Sequence, residues 1–308
     1  MASTNNSLYP RRYRVFVAAS SGAAFEVSEL RCTFKIERTM NAQPNLCEVS
    51  IFNLTPELQN TIIAQNDRVI VEAGYEGPQY GVIFDGQILQ TLSERENQVD
   101  FKLTLVGLDG ANFMSAGMIC GSYAAGATRR QIVQDSISKV TAPAQTGNIS
   151  PEFGNNGLSR GKVMFGLAGD YYRQMAQTDG ALMYIDDGKV NLIRASDLPP
   201  GEVVNLTPTS GLIGTPSQTQ YGVNAKSLLN PRLKINSLVR ISSEYVQQAR
   251  AQIGQYNRPL DSNGLYRIIK VTHTGDTRGQ NWYTDIETIS QSGGFPAMIG
   301  TANAQPWY

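Results

Sequence analysis

The chain has 308 residues, with Lys plus Arg and Asp plus Glu balanced at 26 each. That neutrality excludes a global charge drive toward nucleic acid or anionic lipid, and the length leads us to expect two or three domains. Charged residues make up only 17% of the chain, and Gly, Ser, Thr, Asn and Gln are abundant, which suits β-rich domains that bury surface against partners.

No stretch approaches the roughly 18 apolar residues of a membrane span. The start, "MASTNNSLYPRRYRVFV", lacks the apolar centre of a signal peptide, so no stable membrane insertion is expected. Cys32, Cys47 and Cys120 have no CxxC spacing and leave one thiol over in any disulfide scheme. They are expected to be buried and reduced in a protein folded in the cytosol. With a single histidine, His273, and no cysteine cluster, a zinc site is not expected.

The first region is strand-rich. "RYRVFVAA" sets Tyr13, Val15 and Val17 on one face, "RCTFKIER" sets Cys32, Phe34 and Ile36 together, and "CEVSIFNL" alternates through Val49 and Ile51. A short helix follows in "NLTPELQNTIIAQN". Thr55 is its expected N-cap and Pro56 its first residue, with Ile62 and Ile63 turned to the core. Strands resume in "DRVIVEAGY", "GVIFDGQILQTLSE" and "NQVDFKLTLVGLDG", the last with Val99, Phe101, Leu103 and Leu105 on one face. Short strands with one helix predict a small barrel or a strongly curved sheet.

From about Ala111 to Pro200 the pattern changes. "ATRRQIVQDSISKV" predicts a helix capped by Thr128 with Val133, Ile137 and Val140 inward. A linker from Thr141 to Gly157 leads to a second helix, "MFGLAGDYYRQMAQTDG", striped by Leu167, Tyr171 and Met175 and stopped at Gly180. "ALMYIDDGKVNLIR" is a hairpin turning at Asp187-Gly188. No GxGxxG or GxxxxGK accompanies these glycines.

Beyond Gly201 strands return. The run from Gly211 to Ile241 does not read as an ordinary hairpin; Leu233 and Ile235 are expected to begin a strand, with a turn or bulge at Asn236-Ser237. "LYRIIKVTHTGD" and "NWYTDIETIS" are long strands joined through Gly275–Gly279. Ser242–Gly264 is Gln- and Ala-rich, with helix expected over Glu244–Ile253 and a turn at Asn263-Gly264. The tail after Ser290 is a disordered end or an arm for a partner, carrying Phe295, Met298, Ile299, Trp307 and Tyr308. No repeat of 20 to 50 residues is evident.

Catalytic and ligand-binding constellations fare poorly. His273 could join Asp276 or Asp285 and a hydroxyl as a hydrolase set, but it continues an apolar strand face and no GxSxG elbow is present. Asp186-Asp187 belongs to a turn, and Asp100 and Asp109 flank one strand, with no sign of the convergence that glycoside hydrolysis needs. Asp261-Ser262-Asn263-Gly264 resembles the start of a calcium loop without its later Glu. Arg11, Arg12 and Arg14, and the pair Arg129-Arg130, read as solvated faces or interface ion pairs, since no interleaved aromatics accompany them. No catalytic, cofactor or metal residue is expected.

"GLIGTPSQTQYGVNAKSLLNPRLKINSLVRI" with "GLYRIIKVTHTGDTRGQNWYTDIE" resembles the C-terminal region of baseplate hub proteins from contractile-tailed bacteriophages. "CEVSIFNLTPELQNTI", "VIVEAGYEG" and "VIFDGQI" are similar to that family's opening, and "RGKVMFGLAGDYYRQMAQTDGALMYIDDGKVNLI" to its α+β insert. The resemblance spans roughly residues 10 to 290. It implies a mainly β chain: a tube-like β-barrel domain over 1–110, a small α+β middle domain over 111–200, a second tube-like barrel over 201–290 and an extended tail over 291–308. It further implies a non-enzymatic homotrimeric ring, without cofactors, that fits a three-fold central tail spike protein to a six-fold tail tube or tube-adaptor. The ring would surround a channel for the tape-measure protein and for transient passage of DNA. The implied location is the virion tail baseplate, after assembly in the host cytoplasm. A neutral chain is compatible with a pore that should not grip phosphates. The hub of a phage-derived injection device (a tailocin) is the alternative. A hub with cell-wall hydrolase activity is disfavoured, since no lysozyme-like or peptidase region is evident up to Tyr308.

Overall fold

Alternating apolar residues build the first strands as the periodicity predicts. The structure is a computed structural model that describes residues 10–19, 24–41, 43–77, 79–142, 144–199, 201–248, 260 and 264–290. In chain order the elements are β1 (Arg11–Ala19), β2 (Ala24–Glu26), β3 (Cys32–Thr39), β4 (Asn45–Phe52), α1 (Pro56–Gln65), β5 (Asn66–Tyr75), β6 (Tyr80–Arg95), β7 (Phe101–Asp109), α2 (Ala111–Ala116) and β8 (Met118–Tyr123). There follow α3 (Arg129–Ser136), β9 (Gln145–Ile149), β10 (Lys162–Leu167), α4 (Ala168–Thr178), β11 (Leu182–Asp186) and β12 (Lys189–Ile193). The last are β13 (Val204–Leu206), β14 (Leu212–Gln218), β15 (Val223–Leu228), β16 (Leu238–Ile241), β17 (Leu265–Asp276) and β18 (Trp282–Ser290). The protein is mainly β with few helices. No helix among the described residues is long and apolar enough to cross a membrane.

Two compact units divide the chain. One draws on the stretch up to Arg38, on Leu46–Leu108 and on the chain from Pro199 through β18; the other is built from Thr39–Asn45 and Asp109–Leu198. The first unit holds a 13-stranded sheet in the order β14-β15-β18-β17-β3-β4-β7-β6-β5-β1-β2, with β16 also beside β17 and β13 beside β16. This sheet repeats one strand order. Its first half runs β3-β4-β7-β6-β5-β1 and its second β14-β15-β18-β17-β16-β13. The repeat is imperfect, since β1 is antiparallel to β5 whereas β13 is parallel to β16.

The core of this unit gathers Val15, Val17, Cys32, Phe34, Ile36, Val49, Ile51, Val69, Val71, Leu103 and Leu105 with Leu229 and Trp282. Each large apolar side chain so buried contributes about 1.5–3 kcal/mol relative to exposure. Helix α1 starts as expected, with Leu58 N–H donating to Thr55 Oγ1 at 3.4 Å. Ile62 is buried but Ile63 is 47% exposed, because successive helical residues diverge by about 100°. Val99 and Phe101 also turn out exposed, since they lie where the β6–β7 hairpin outruns the core, whereas Leu103 and Leu105 are covered.

Several boundaries in the latter half are corrected. Gly211–Ile241 does contain an antiparallel pair, β14 with β15, interrupted by a bulge between Ile213 and Ser217 that takes in Gly214 and Pro216. Pro216 and the left-handed Gly214 break the alternation that would have signalled it. Leu233 and Ile235 are buried in turns, and the strand begins only at Leu238. Asn236 makes the expected turn in the left-handed region at φ 57°. Ser243–Tyr245 is a 3-10 turn. The helix expected over Glu244–Ile253 does not continue beyond that turn: Val246–Gln248 are not helical, and Gln247 bridges to Ser217 on β14, while residues 249–253, Asp261–Asn263 and the tail after Ser290 lie outside the described residues.

The second unit packs α2, α3 and α4 with two small sheets, β10-β8 and β11-β12-β9, over Phe113, Ile132, Val133, Phe153, Met164, Tyr172, Met175 and Leu192. Helix α3 carries the full capping box of Thr128 and Gln131. The expected second helix is shorter. Lys162–Leu167 is strand β10, and α4 buries Tyr172 and Met175 in place of a Leu167–Tyr171–Met175 stripe. Gly166, at φ 147°, sits in a backbone region that favours glycine and suits the strand end. The supposed linker Thr141–Gly157 contains β9, which runs parallel to β12. Asp187 and Gly188 both have positive φ, as the two-residue hairpin turn demands.

Candidate functional site

The residues singled out for chemistry are placed one by one. His273 on β17 is 1% exposed, and its Nδ1 lies 2.9 Å from Thr284 Oγ1. That hydroxyl accepts the Asn230 N–H at 3.0 Å and keeps a second lone pair and its own proton, so it can serve either tautomer of the neutral ring. Burial, reinforced by the positive charge of Arg38, pushes the imidazole down to about 3. Asp285 stands on the opposite face of β18 from Thr284, 4.0 Å from Lys226 Nζ. Asp276 receives two bonds from Arg31 and the backbone N–H groups of Arg278 and Gly279. The structure does not bring this histidine and these carboxylates together.

Asp100 caps the β6–β7 hairpin, and hydrogen bonds from Asn53 and Asn97 hold its carboxyl below the usual range. Asp109, Asp186 and Asp187 do converge, their carboxylate oxygens all within 4.8 Å of one another. Sequence spacing did not foresee this, because 79 positions separate Asp109 from its Gly188 N–H donor, which lies at 2.8 Å. Asn45 Nδ2 donates to Asp186 at 3.3 Å. The cluster thus knits a strand end to a turn.

The basic residues are committed to packing. Arg12 lies over the Tyr80 ring, Arg14 pairs with Glu26 at 3.6 Å, and Arg129 makes a two-pronged pair with Asp179. Arg130 donates to the carbonyls of Ser150 and Phe153. They form no basic stripe of the kind nucleic-acid recognition uses. Cys32 and Cys47 are buried as expected, and burial raises the Cys32 thiol to about 12 and that of Cys47 well up. Cys120 departs from expectation and is exposed, on a face of β8–β10 shared with the exposed Val163 and Phe165. Strand β8 alternates, and its outward set simply has no cover.

What the large sheet does build is a join between its halves. Thr277 N–H donates to the Cys32 carbonyl at 3.0 Å, and Cys32 N–H returns a bond to Thr277 Oγ1 at 2.9 Å. Arg11 donates to the carbonyls of Gly279 and Gln280, and Arg278 to that of Glu29. No composition or motif marks these residues, because they act through side chain-to-backbone bonds. On the outside, β14, β15 and β18 line a shallow polar groove with Ile213, Thr215, Ser217, Lys226, Asp285 and Glu287. This arrangement offers surfaces for assembly.

Comparison with known proteins agrees with that reading. Residues 13–248 match the family described as Baseplate hub gp41. The fold resembles the 43 kDa tail protein of prophage MuSo2 from Shewanella oneidensis, with a TM-score of 0.58 and 10% identity over 91% of this chain and 99% of that one. It also resembles a tail protein from Neisseria meningitidis MC58, with a TM-score of 0.56 and 10% identity over 90% and 96% of the two chains. A third similar fold is the Escherichia coli c3393 protein, a type VI secretion component, at 0.57 and 11% identity over 94% of this chain and 80% of that one. No curated protein matches the sequence. The chain belongs to the baseplate hub gp41 family and is a structural protein of a phage tail baseplate.

Proposed function

We propose that three copies form a ring in a contractile tail, adapting a three-fold central spike to a six-fold tail tube around a channel. The observation that carries this is the repeated strand order of the large sheet: β3-β4-β7-β6-β5-β1 and β14-β15-β18-β17-β16-β13 give one chain two corresponding halves. Each half would act as one tube-like domain, so three chains supply six units toward the tube and three toward the spike. The partners are then the spike protein, the tube or a tube-adaptor and, in the channel, the tape-measure protein and DNA in transit. Assembly would occur in the host cytoplasm. The role is non-enzymatic, supported by the burial of His273 away from any carboxylate partner. The fold likeness to a type VI secretion component favours a second setting, an injection device that carries no genome.

Mass photometry of the purified chain, alone and with its spike, tests the reading. A trimer is expected, and a strict monomer under both conditions would overturn it. A cryo-EM map of the tail tip should show three copies around the axis.

A further inference from the structure

The two-stranded sheet of β8 and β10 turns one face to the core of the second unit and the other to solvent. Ile119 and Met164 point inward and are buried. On the outer side the register sets Met118, Cys120 and Ser122 of β8 opposite Leu167, Phe165 and Val163 of β10. Val163 is 76% exposed, Phe165 71% and Met118 38%, and Cys120 is exposed as well. No charged side chain stands among these residues. The flanks of the sheet, by contrast, are met by side chains. The Tyr171 hydroxyl accepts the Phe165 N–H at 3.1 Å and donates to the Phe165 carbonyl at 3.2 Å. The Met118 N–H donates to Thr141 Oγ1 at 2.9 Å, and its carbonyl accepts the Thr141 N–H at 3.2 Å. The surface left for an occupant is therefore a face of side chains and not a strand edge.

The tail of the chain matches that face in chemistry and in reach. From Gln291 to Tyr308 it contains no Asp, Glu, Lys or Arg, yet it carries Phe295, Met298, Ile299, Trp307 and Tyr308. Segments that remain solvated are rich in charge and poor in aromatic residues. This run has the opposite make-up and gains by covering an uncharged apolar surface. Fully extended it spans about 60 Å, against a radius of gyration of about 13 Å for a domain of the second unit's size. Ser292-Gly293-Gly294 gives it a flexible lead. A tethered segment also acts at an effective concentration on the order of millimolar, ahead of any free partner. A second copy suits the face less well, because a stable interface draws on about 20–30 residues a side. The other exposed apolar pair, Val99 and Phe101, suits the tail less well too. Arg95 covers the Phe101 ring, and Lys102 with Glu94 and Glu96 surrounds that hairpin with charge.

We propose that the tail, Gln291–Tyr308, docks its apolar residues on the outer face of β8 and β10 of its own chain, over Cys120, Val163 and Phe165. The tail is then an internal cover that shields the Cys120 thiol and keeps an apolar face out of solvent. This docking is independent of the ring reading above, and each can fail without the other.

Cross-linking from the native Cys120 tests this, since Cys32 and Cys47 are buried. Full-length Ala297→Cys and Ala304→Cys chains, each an equal mixture of unlabelled and isotope-labelled protein, are treated with a short bis-maleimide and digested. The expected product joins the Cys120 peptide to the tail peptide of the same isotope, in at least one variant. Adding Phe165→Asp, a change at an exposed position, should cut that yield several-fold, because a charge in the contact opposes docking. As a second readout, full-length Phe295→Asp/Met298→Asp/Trp307→Asp should raise the alkylation rate of Cys120 about threefold or more by uncovering the thiol. A yield indifferent to Phe165→Asp, together with an unchanged alkylation rate, would overturn the docking. Links of mixed isotope would place the tail on a neighbouring copy, and Cys120–Cys120 links would give the face to a second copy. Either result would overturn the proposal as well.

Discussion

The indole nitrogen of Trp282, the first residue of β18, donates to the carbonyl of Gly74 on β5 at 3.3 Å, across 208 positions of sequence. Phe34 meets the ring edge-on at 5.4 Å between centroids, Tyr13 does so at 6.3 Å, and the Arg11 guanidinium covers it at 5.4 Å. One fully buried side chain from the second half of the sheet therefore completes the core of the first. Trp282→Ala is expected to cost about 3–5 kcal/mol through the cavity and lost contacts. Trp282→Phe should cost about 1–3 kcal/mol, chiefly by leaving a buried carbonyl without its donor. Urea denaturation checks both, and equal stability of Trp282→Phe and wild type would show that the hydrogen bond contributes nothing.

Gly275 explains how β17 can approach that core. A Cβ added there would fall within the van der Waals envelope of the Phe34 ring, and Phe34 is itself locked against Trp282. Gly275→Ala should destabilise by about 1–3 kcal/mol, the usual range for overpacking a filled core. Gly188→Ala provides the contrast. A Cβ there meets no neighbour, and the strain comes only from φ at 69°, so thermal melts should separate a steric loss from a conformational one.

Local chemistry was legible where a single residue type decides the outcome. The Thr55 and Thr128 caps, the Asp187-Gly188 turn and the alternation of Val15, Val17, Cys32, Phe34 and Ile36 all stand as read. Legibility failed where pairing overrides period. Leu167 looks helical beside Tyr171 and Met175, yet β10 is held as a strand by pairing with β8 from Lys162 to Leu167. Strand β9 was hidden in a polar run because its partner β12 lies some 40 positions on. The doubling of the sheet left no trace in sequence spacing. It exists only in strand order, which tolerates complete divergence of side chains. The convergence of Asp109 with Asp186 and Asp187 was invisible for a related reason, since only the folded backbone brings them together.

The three thiols should react very differently. Cys120 is exposed and Cys32 and Cys47 are buried, with thiols that burial holds far from ionisation. Since the thiolate is the reacting species, a maleimide at neutral pH should add once per chain, at Cys120, and three times in denaturant. Peptide mass spectrometry locates the adduct. Modification of Cys47 in the native protein would contradict the burial of β4.

His273 should make stability fall with acid. Its pKa is about 3 in the folded chain against an ordinary 6.5, so between those values the unfolded chain binds the extra proton. The contribution is fully present above about pH 6.5 and is lost as pH falls toward 3, at about 1.4 kcal/mol per pH unit for one proton. His273→Gln removes the titration while retaining polar groups. It should be less stable than wild type at pH 7, and the gap should narrow by on the order of 2–3 kcal/mol by pH 4.5. Urea midpoints across that range measure the difference, in which contributions from carboxylates common to both proteins cancel. A gap independent of pH would mean that His273 is not held neutral by the fold.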